Sequence, residues 1–317
     1  MLFRSATVAL SVTSGTANAY FQLLSARDRL AIAKQNLETA EAVYAITASR
    51  VRNGVASQLE EAQQLATLAG QRANVPRLEQ AELEARAALA LLLGKLPEGF
   101  DVAGKDLNAV ASPSVAPGLT SELLTRRPDI VAQEQTLRAA DANVAVARAA
   151  FFPAISLTAN GGVQSTALSS LFDGNVASSI GLNLVQTIFD GGRLIAQRDS
   201  AKAREQEALA SYRNTVITAF SDVETALGNV VHLKSQDDEA AEQLRQLQRA
   251  FDIANARYRE GVSDYLTVLD AQRSLYSARD SYQQIKLQRL QAILTLYRAL
   301  GGGWRDSDIA PAAVATN

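Results

Sequence analysis

The 317-residue chain contains no cysteine. Disulfides, thiolate zinc sites, a cysteine nucleophile and a lipid-bearing N-terminal cysteine are therefore excluded from the sequence as it stands. Proline occurs only seven times and aromatic residues make up 6%. Beside abundant Ala, Leu and Val, that scarcity favours long helices over one bulky core. Charge of a single sign is also lacking: 31 basic residues face 33 acidic ones, for a net charge of −2. Such a balance leaves no electrostatic footprint for nucleic acid. The one histidine, His232, has only Asp and Glu near it as metal-type ligands and reads as a solvated side chain. No glycine-rich phosphate loop, nucleophile elbow or histidine-carboxylate zinc pattern occurs, so neither enzyme chemistry, nor a metal, nor a cofactor is expected. There is no run of about 18 apolar residues, which argues against a membrane-spanning helix but does not bear on β-strands.

What the sequence does contain is a repeat. Arg50-Val-Arg-Asn-Gly-Val55 and Arg257-Tyr-Arg-Glu-Gly-Val262 are one element at an offset of 207 positions. The same ungapped offset pairs Leu37 with Leu244, Tyr44 with Phe251, Leu59 with Leu266 and Arg72 with Arg279, and it closes at Leu93-Gly94 with Leu300-Gly301. Units this large describe two copies of a helical hairpin rather than a short-period solenoid. In the second copy Tyr212, Val216, Ala219, Val223, Ala226 and Val230 open a seam of alternating three- and four-residue spacings that runs to Tyr258 and breaks only at Asp237. Subtracting the offset recovers the seam from Val12 to Val51. A heptad seam marks a helix packed along its length against neighbours. At ~1.5 Å per residue, a helix over 193–259 is roughly 100 Å long. Gly54 and Gly261 stop the seam, and helical composition resumes to Leu93 and Leu300. Each copy therefore reads as a long helix, a tight turn and a returning helix.

On this ruler the chain divides into a first hairpin at 1–96, an irregular Pro-, Gly-, Ala- and Ser-rich connector at 97–120, a second repeat at 121–301 and a tail at 302–317. The second repeat holds a helix at 128–150, opened by Pro128 and Asp129 and closed by Pro153. Strands follow at 155–163 and 178–188, then helices at 193–259 and 263–300. In the strands Ile155, Leu157 and Ala159 alternate with Ser156, Thr158 and Asn160, and Ile180, Leu182 and Leu184 alternate with Ser179, Gly181 and Asn183. Their length suits a tilted strand crossing a bilayer. Alternation alone favours an antiparallel pair on a soluble protein. The chain has no second sheet to cover the apolar face, however, so other chains or lipid must cover it. Asp190-Gly191-Gly192 reads as a bend between strand and helix. Met1 to Ala19 mimics a signal peptide, with Arg4 and a closing Ala17-Asn18-Ala19, but Ser and Thr interrupt its apolar stretch. Its second-copy counterpart lies inside a periodic helix, so helix is expected here too.

Arg126-Arg-Pro-Asp-Ile130, Ala149-Ala-Phe-Phe-Pro-Ala-Ile-Ser156, Phe189-Asp-Gly-Gly-Arg193 and the run from Gly261 to Tyr276 resemble the signatures of the TolC-like outer-membrane efflux proteins. They are most similar to the NodT subgroup, the outer-membrane lipoproteins that serve resistance-nodulation-division pumps, and the resemblance covers residues 6 to 304. It implies a mainly α fold of long antiparallel coiled-coil-like hairpins forming an α-barrel tunnel. It also implies a two-stranded transmembrane β-hairpin joining a trimeric β-barrel of twelve strands, four from each chain. The implied function is passive efflux of drugs or toxic compounds as a homotrimer in outer-membrane lipid, with a periplasmic adaptor and an inner-membrane pump as partners. This sequence departs in having one strand pair, and three such chains supply six strands, fewer than the eight of the smallest single-chain barrels. An N-terminally incomplete chain, without its signal peptide and lipidated cysteine, is the expectation that follows.

By motif position the resemblance places the periplasmic gate at Asp270 and Arg273, where a ring of carboxylates would attract cations and ties to basic neighbours would hold the helices together. The first-copy equivalents are Gln63 and Ala66, so only one hairpin carries the pair. Adaptor docking falls at the hairpin tips, Gly54, Val55, Gly261 and Val262, although glycine is needed there merely to reverse the chain. Arg50, Arg52, Arg257 and Arg259 are expected to face water or pair locally. The competing class is a soluble or periplasmic coiled-coil scaffold or adaptor, and an adaptor would be expected to carry a lipoyl-like or small β-barrel domain that this sequence does not show.

Overall fold

The computed structural model describes residues 2–104, 106–110, 126–163 and 176–302. In chain order the elements are α1 (Leu2–Arg52), α2 (Gln58–Leu92), a single 3-10 turn (Leu107–Ala109), α3 (Pro128–Ala149), β1 (Ala154–Val163), β2 (Val176–Val185), α4 (Arg193–Arg259) and α5 (Tyr265–Ala299). The two hairpins share the 207-residue offset in their boundaries: α1 and α4 end at Arg52 and Arg259, α2 and α5 begin at Gln58 and Tyr265, and they end at Leu92 and Ala299. Residues 2–19, the stretch that mimics a signal peptide, are helical and continuous with the rest of α1. Asp106 caps the 3-10 turn by accepting from the Ala109 N–H at 3.0 Å. Residues 111–120 of the expected connector and 303–317 of the tail lie outside the described residues.

Packing divides the chain into two compact units, one of Met1–Pro128 with Thr218–Asn317 and one of Asp129–Ile217. This division differs from the one drawn along the repeat. A 67-residue helix is too long to belong to one compact body, and α4 contributes to both units. In the first unit α1 packs on α2 through Ala19, Leu23, Leu89, Ala90 and Phe100, and through Leu30, Ala33 and Leu78. The second hairpin closes through Val223, Ala226, Leu296 and Ala299, and again near its turn through Phe251, Ala254, Tyr258, Tyr265, Val268 and Leu269. Val43 of α1 joins that last cluster, and Leu24 of α1 meets Leu290 of α5 under Leu107. Each fully buried leucine is worth ~1.5–3 kcal/mol relative to exposure. The seam read from the sequence supplies much of this core, and Asp237, which interrupts it, is buried in an ion pair with Arg289 at 2.6 Å.

The motif at Arg126 and Arg127 also acts within this unit. Arg127 reaches Asp222 at 3.2 Å and the carbonyls of Ala219 and Ala299, while Gly301 lies so close to the Arg126 backbone that a Cβ would collide with it. In the second unit Ile130 and Val144 of α3 are buried, as is Leu194 of α4. Asp190 does more than bend the chain: its carboxylate accepts from the N–H groups of Gly192 at 3.0 Å and Leu194 at 2.8 Å, capping the start of α4.

β1 and β2 pair antiparallel with Ala154 opposite Val185 and Val163 opposite Val176. β2 ends three residues short of the expected 188. The ladder stops where the opposite strand begins: residues 150–152 are held in the turn that ends α3, which leaves residues 186–188 without a strand partner. In this register Ile155 faces Leu184, Leu157 faces Leu182 and Ala159 faces Ile180, while Ser156 faces Asn183 and Asn160 faces Ser179. One face of the ribbon is thus apolar from Ile155 and Leu184 to Ala159 and Ile180, and Ser178 opposite Gly161 is the polar residue beyond them.

Candidate functional site

The two hairpin turns are built by one backbone device. At the first, Gly54 N–H reaches the Val51 carbonyl at 3.0 Å and Val55 N–H reaches the Arg50 carbonyl at 2.9 Å; at the second, Gly261 reaches Tyr258 at 3.0 Å and Val262 reaches Arg257 at 2.9 Å. This is the Schellman arrangement, which satisfies helix-end carbonyls and needs a left-handed residue at its corner. Gly54 and Gly261 take φ of 73° and 76°, a conformation costing other residues ~1–2 kcal/mol. The returning helices are capped in register. Ser57 accepts from Glu60 N–H at 3.2 Å and Asp264 from Thr267 N–H at 2.8 Å. With the backbone groups satisfied, the side chains are free to face outward. Val55 and Leu59 at one tip are 61% and 66% exposed, and Val262 and Leu266 at the other are 64% and 56% exposed. The leucines complete each apolar tip but lie one helical turn past the glycine motif, where sequence alone gave no reason to group them with it.

Above the tips the hairpins are joined by polar side chains. Arg50 donates to the Tyr258 carbonyl at 2.9 Å and lies over the Tyr258 ring at 4.6 Å, while Tyr258 donates to Glu60 at 3.1 Å. Arg50 therefore crosses to the other hairpin, neither facing water nor pairing locally, because the tyrosine opposite it offers both a carbonyl and a ring. Arg52, Arg257 and Arg259 are exposed. Tyr265 donates to Gln64 at 2.8 Å, and Gln64 in turn donates to the Ala40 carbonyl at 3.1 Å. Farther along α5, Tyr276 donates to the Asn36 carbonyl at 2.9 Å, and Arg279 bridges Asn36 at 2.6 Å and Gln248 at 2.7 Å. Arg29 grips Asp280 through two nitrogens at 2.7 and 3.2 Å. Burial pushes the Tyr265 and Tyr276 phenols up to about 12, and burial also lowers the Arg279 guanidinium from its ordinary value.

Asp270 and Arg273 point elsewhere. Val268, Leu269, Gln272, Leu275 and Tyr276 form the buried face of α5, and Leu266, Asp270, Arg273 and Ser277 form an exposed stripe. Neither Asp270 nor Arg273 has a hydrogen-bonded or ion-paired partner among the described residues. The fold thus brings the two together on one helix face, one turn beyond the exposed Val262 and Leu266, and leaves both charges available to another chain. Their equivalents Gln63 and Ala66 sit on the matching stripe of α2 without charge.

The ribbon offers a second exposed surface. Ile155 and Leu157 are 71% exposed, Ile180 81% and Leu182 74%. Phe152, Ile188 and Phe189 continue this apolar exposure at one end of the strands. The opposite face carries Ser156, Thr158, Asn160, Ser179 and Asn183, and no strand residue is charged. Among the described residues no helix is long and apolar enough to cross a membrane, and no cluster of His, Cys, Asp or Glu is arranged to hold a metal.

Comparison with known proteins identifies the family to which these repeated hairpins and their strand pair belong. The outer membrane efflux protein family matches residues 4–95 and 119–302, and the chain belongs to that family. It is 43% identical over 300 residues to the pyoverdine export outer membrane protein OpmQ of Pseudomonas aeruginosa, covering 95% of this chain and 63% of that protein. It is 35% identical over 303 residues to the cation efflux system protein CusC of Escherichia coli K12, covering 93% of this chain and 65% of that protein. The chain thus spans less than two thirds of these relatives. Among solved structures it resembles the outer-membrane channel OprN, with a TM-score of 0.88 and 34% identity over 95% of this chain and 68% of that one. It also resembles the open state of the Neisseria gonorrhoeae MtrE outer membrane channel, with a TM-score of 0.86 and 34% identity over 96% of this chain and 68% of that one.

The buried tyrosines make a prediction about alkaline pH. A phenol whose folded pKa lies above its unfolded value of ~10 adds stability that is fully present below that value. The contribution is lost as pH rises through the folded value of about 12. Tyr265 and Tyr276 should titrate late and together with loss of helix-helix contact, as followed by phenolate absorbance alongside circular dichroism. Phenols that all titrate near ~10 with helicity intact would contradict this.

Proposed function

We propose that the chain is a subunit of a passive outer-membrane channel in a tripartite efflux system, working as a homotrimer that exports small molecules through a barrel and a periplasmic tunnel. The observation that carries this reading is the bare apolar face of the β-ribbon. A soluble scaffold or adaptor would leave Ile155, Leu157, Ile180 and Leu182 in water, whereas strands closed into a barrel satisfy every backbone group and place those side chains in lipid. The uncharged polar face then lines the lumen. Family membership supports a channel without bond chemistry, driven by a pump in the inner membrane.

The relatives carry different cargo by name, pyoverdine for OpmQ and cations for CusC. That spread favours selection of substrate by the pump, with the conduit remaining permissive. Asp270 and Arg273 are proposed as the periplasmic gate of the second hairpin. Their exposure, with no hydrogen-bonded or ion-paired partner among the described residues, supports ties to neighbouring copies, and the uncharged Gln63 and Ala66 support a gate worked by one hairpin. Gly54, Val55, Gly261 and Val262 are proposed as docking tips for the periplasmic adaptor, with Leu59 and Leu266 extending each apolar patch.

Three outcomes test this assignment. Leu182→Arg should cost ~2–4 kcal/mol where the strand crosses the bilayer midplane and abolish heat-modifiable trimers in the membrane fraction. Thr158→Arg, on the other face, should leave them in place, and equal tolerance of both would remove the barrel. Replacing Asp270 and Arg273 with alanine should raise single-channel conductance and antibiotic influx, and an unchanged pore in both assays would sink the gate. Aspartate at Val55 and Val262 should end crosslinking to the adaptor while trimers survive; persistent crosslinking would place docking elsewhere.

A further inference from the structure

Among the described residues, buried polar atoms without a partner occur on Arg50, Asp237, Asn255, Gln272 and Gln283. Four of the five residues belong to α4 or α5, the hairpin that also carries Asp270 and Arg273. Gln272 is the sharpest case. Its side chain is 0% exposed, its Nε2 donates to the Tyr276 hydroxyl at 2.8 Å, and its Oε1 meets nothing. Turning the amide over does not help. Tyr276 already spends its proton on the Asn36 carbonyl, so it can only accept from Gln272, and one end of the amide is left over in either orientation.

Gln64 provides the internal comparison. It is equally buried, it lies in the same inter-hairpin seam, and both ends of its amide are used, one by Ala40 and one by Tyr265. A satisfied amide there shows that the seam can accommodate glutamine without a deficit. At the repeat equivalent of Gln272 the first hairpin has Leu65, which is 46% exposed. Because Gln272 is already sealed within one chain, no neighbouring copy can reach its free oxygen. An unmade hydrogen bond in a buried site costs free energy that separation and hydration return.

We infer that Gln272 is a release element: its unpartnered amide end holds the packing of α5 on α1 under a standing deficit, so that the second hairpin separates from the first more readily than its other contacts dictate. This deepens the channel reading by naming what biases the movable hairpin towards release. The pairing of Gln272 with Tyr276 places the element beside the Asn36, Arg279 and Gln248 bridge, which ties α1, α4 and α5 together farther along. Separation on the tip side of that bridge frees the amide without breaking the bridge.

The test uses the protein extracted from the outer membrane of its host and compares two variants of opposite expected sign. Methionine fills the same unbranched volume without polar ends, so Gln272→Met should slow amide hydrogen exchange in α5 around residues 265–276 by roughly fivefold or more, the scale of one relieved buried polar group. Tyr276→Phe strips the amide of its remaining partner and should speed the same exchange. If exchange in Gln272→Met is unchanged or faster, Gln272 is an ordinary stabilising contact and the inference is wrong. Single-channel open probability, read in parallel, should fall in Gln272→Met and rise in Tyr276→Phe. Slower exchange with unaltered opening would leave the deficit established and overturn the gate reading on which its role rests.

Discussion

A helix as long as α4 has no core of its own, and lateral burial is the constraint from which the rest of this structure follows. Propensity alone stabilises isolated helices only marginally in water. Each long helix must therefore be returned upon by a partner, and the reversal has to cost little. The paired turns at Gly54 and Gly261 meet that need by satisfying the helix-end carbonyls with the chain's own N–H groups and the next helix with Ser57 or Asp264. Once the backbone is satisfied internally, Val55, Leu59, Val262 and Leu266 can be exposed without unravelling the turn.

The two hairpins are held to each other by directional polar bonds as well as by the apolar contacts of Val43 and of Leu24 with Leu290. Within a hairpin, clusters of Ala, Leu, Val and Phe are joined by ion pairs such as Arg27 with Glu82 and Arg289 with Asp237. Between the hairpins, α1 and α5 share Arg29 with Asp280 and Asn36 with Tyr276 and Arg279, while Arg50 of α1 reaches Tyr258 of α4. Hydrophobic contact is non-directional and tolerates sliding, whereas these bonds have geometry and are either made or broken. An interface of the second kind suits a joint with discrete states. Its chemistry comes unequally from the two copies, since the second supplies Tyr258, Tyr265 and Tyr276 where the first has Val51, Gln58 and Ala69.

Much of the fold was legible because it is periodic. The heptad seam, the glycines and the strand alternation are local patterns, and they placed α4 at 193–259 and the ribbon's apolar face correctly. Element ends were less legible. β2 stops at Val185 because the chain opposite it is still in the turn that ends α3, and no property of residues 186–188 announces that. The gate and tip residues were reached through the family motif rather than from their own chemistry. The partners of Arg50 and Asp237 were missed because they lie more than fifty residues away, at Tyr258 and Arg289.

The sequence by itself determined the duplication, the helical hairpins and the two-faced ribbon, because each of these is written in spacing along the chain, and its motifs carried the resemblance to the outer membrane efflux family. Only the tertiary structure decided which polar groups are shared between the hairpins. It alone showed that Arg50 reaches across, that Asp237 is paired rather than merely disruptive, and that Gln64 is fully bonded while Gln272 is not. The reason is physical: a hydrogen bond depends on where two atoms sit in space, and spacing along the chain fixes which face a residue occupies but not what stands opposite it.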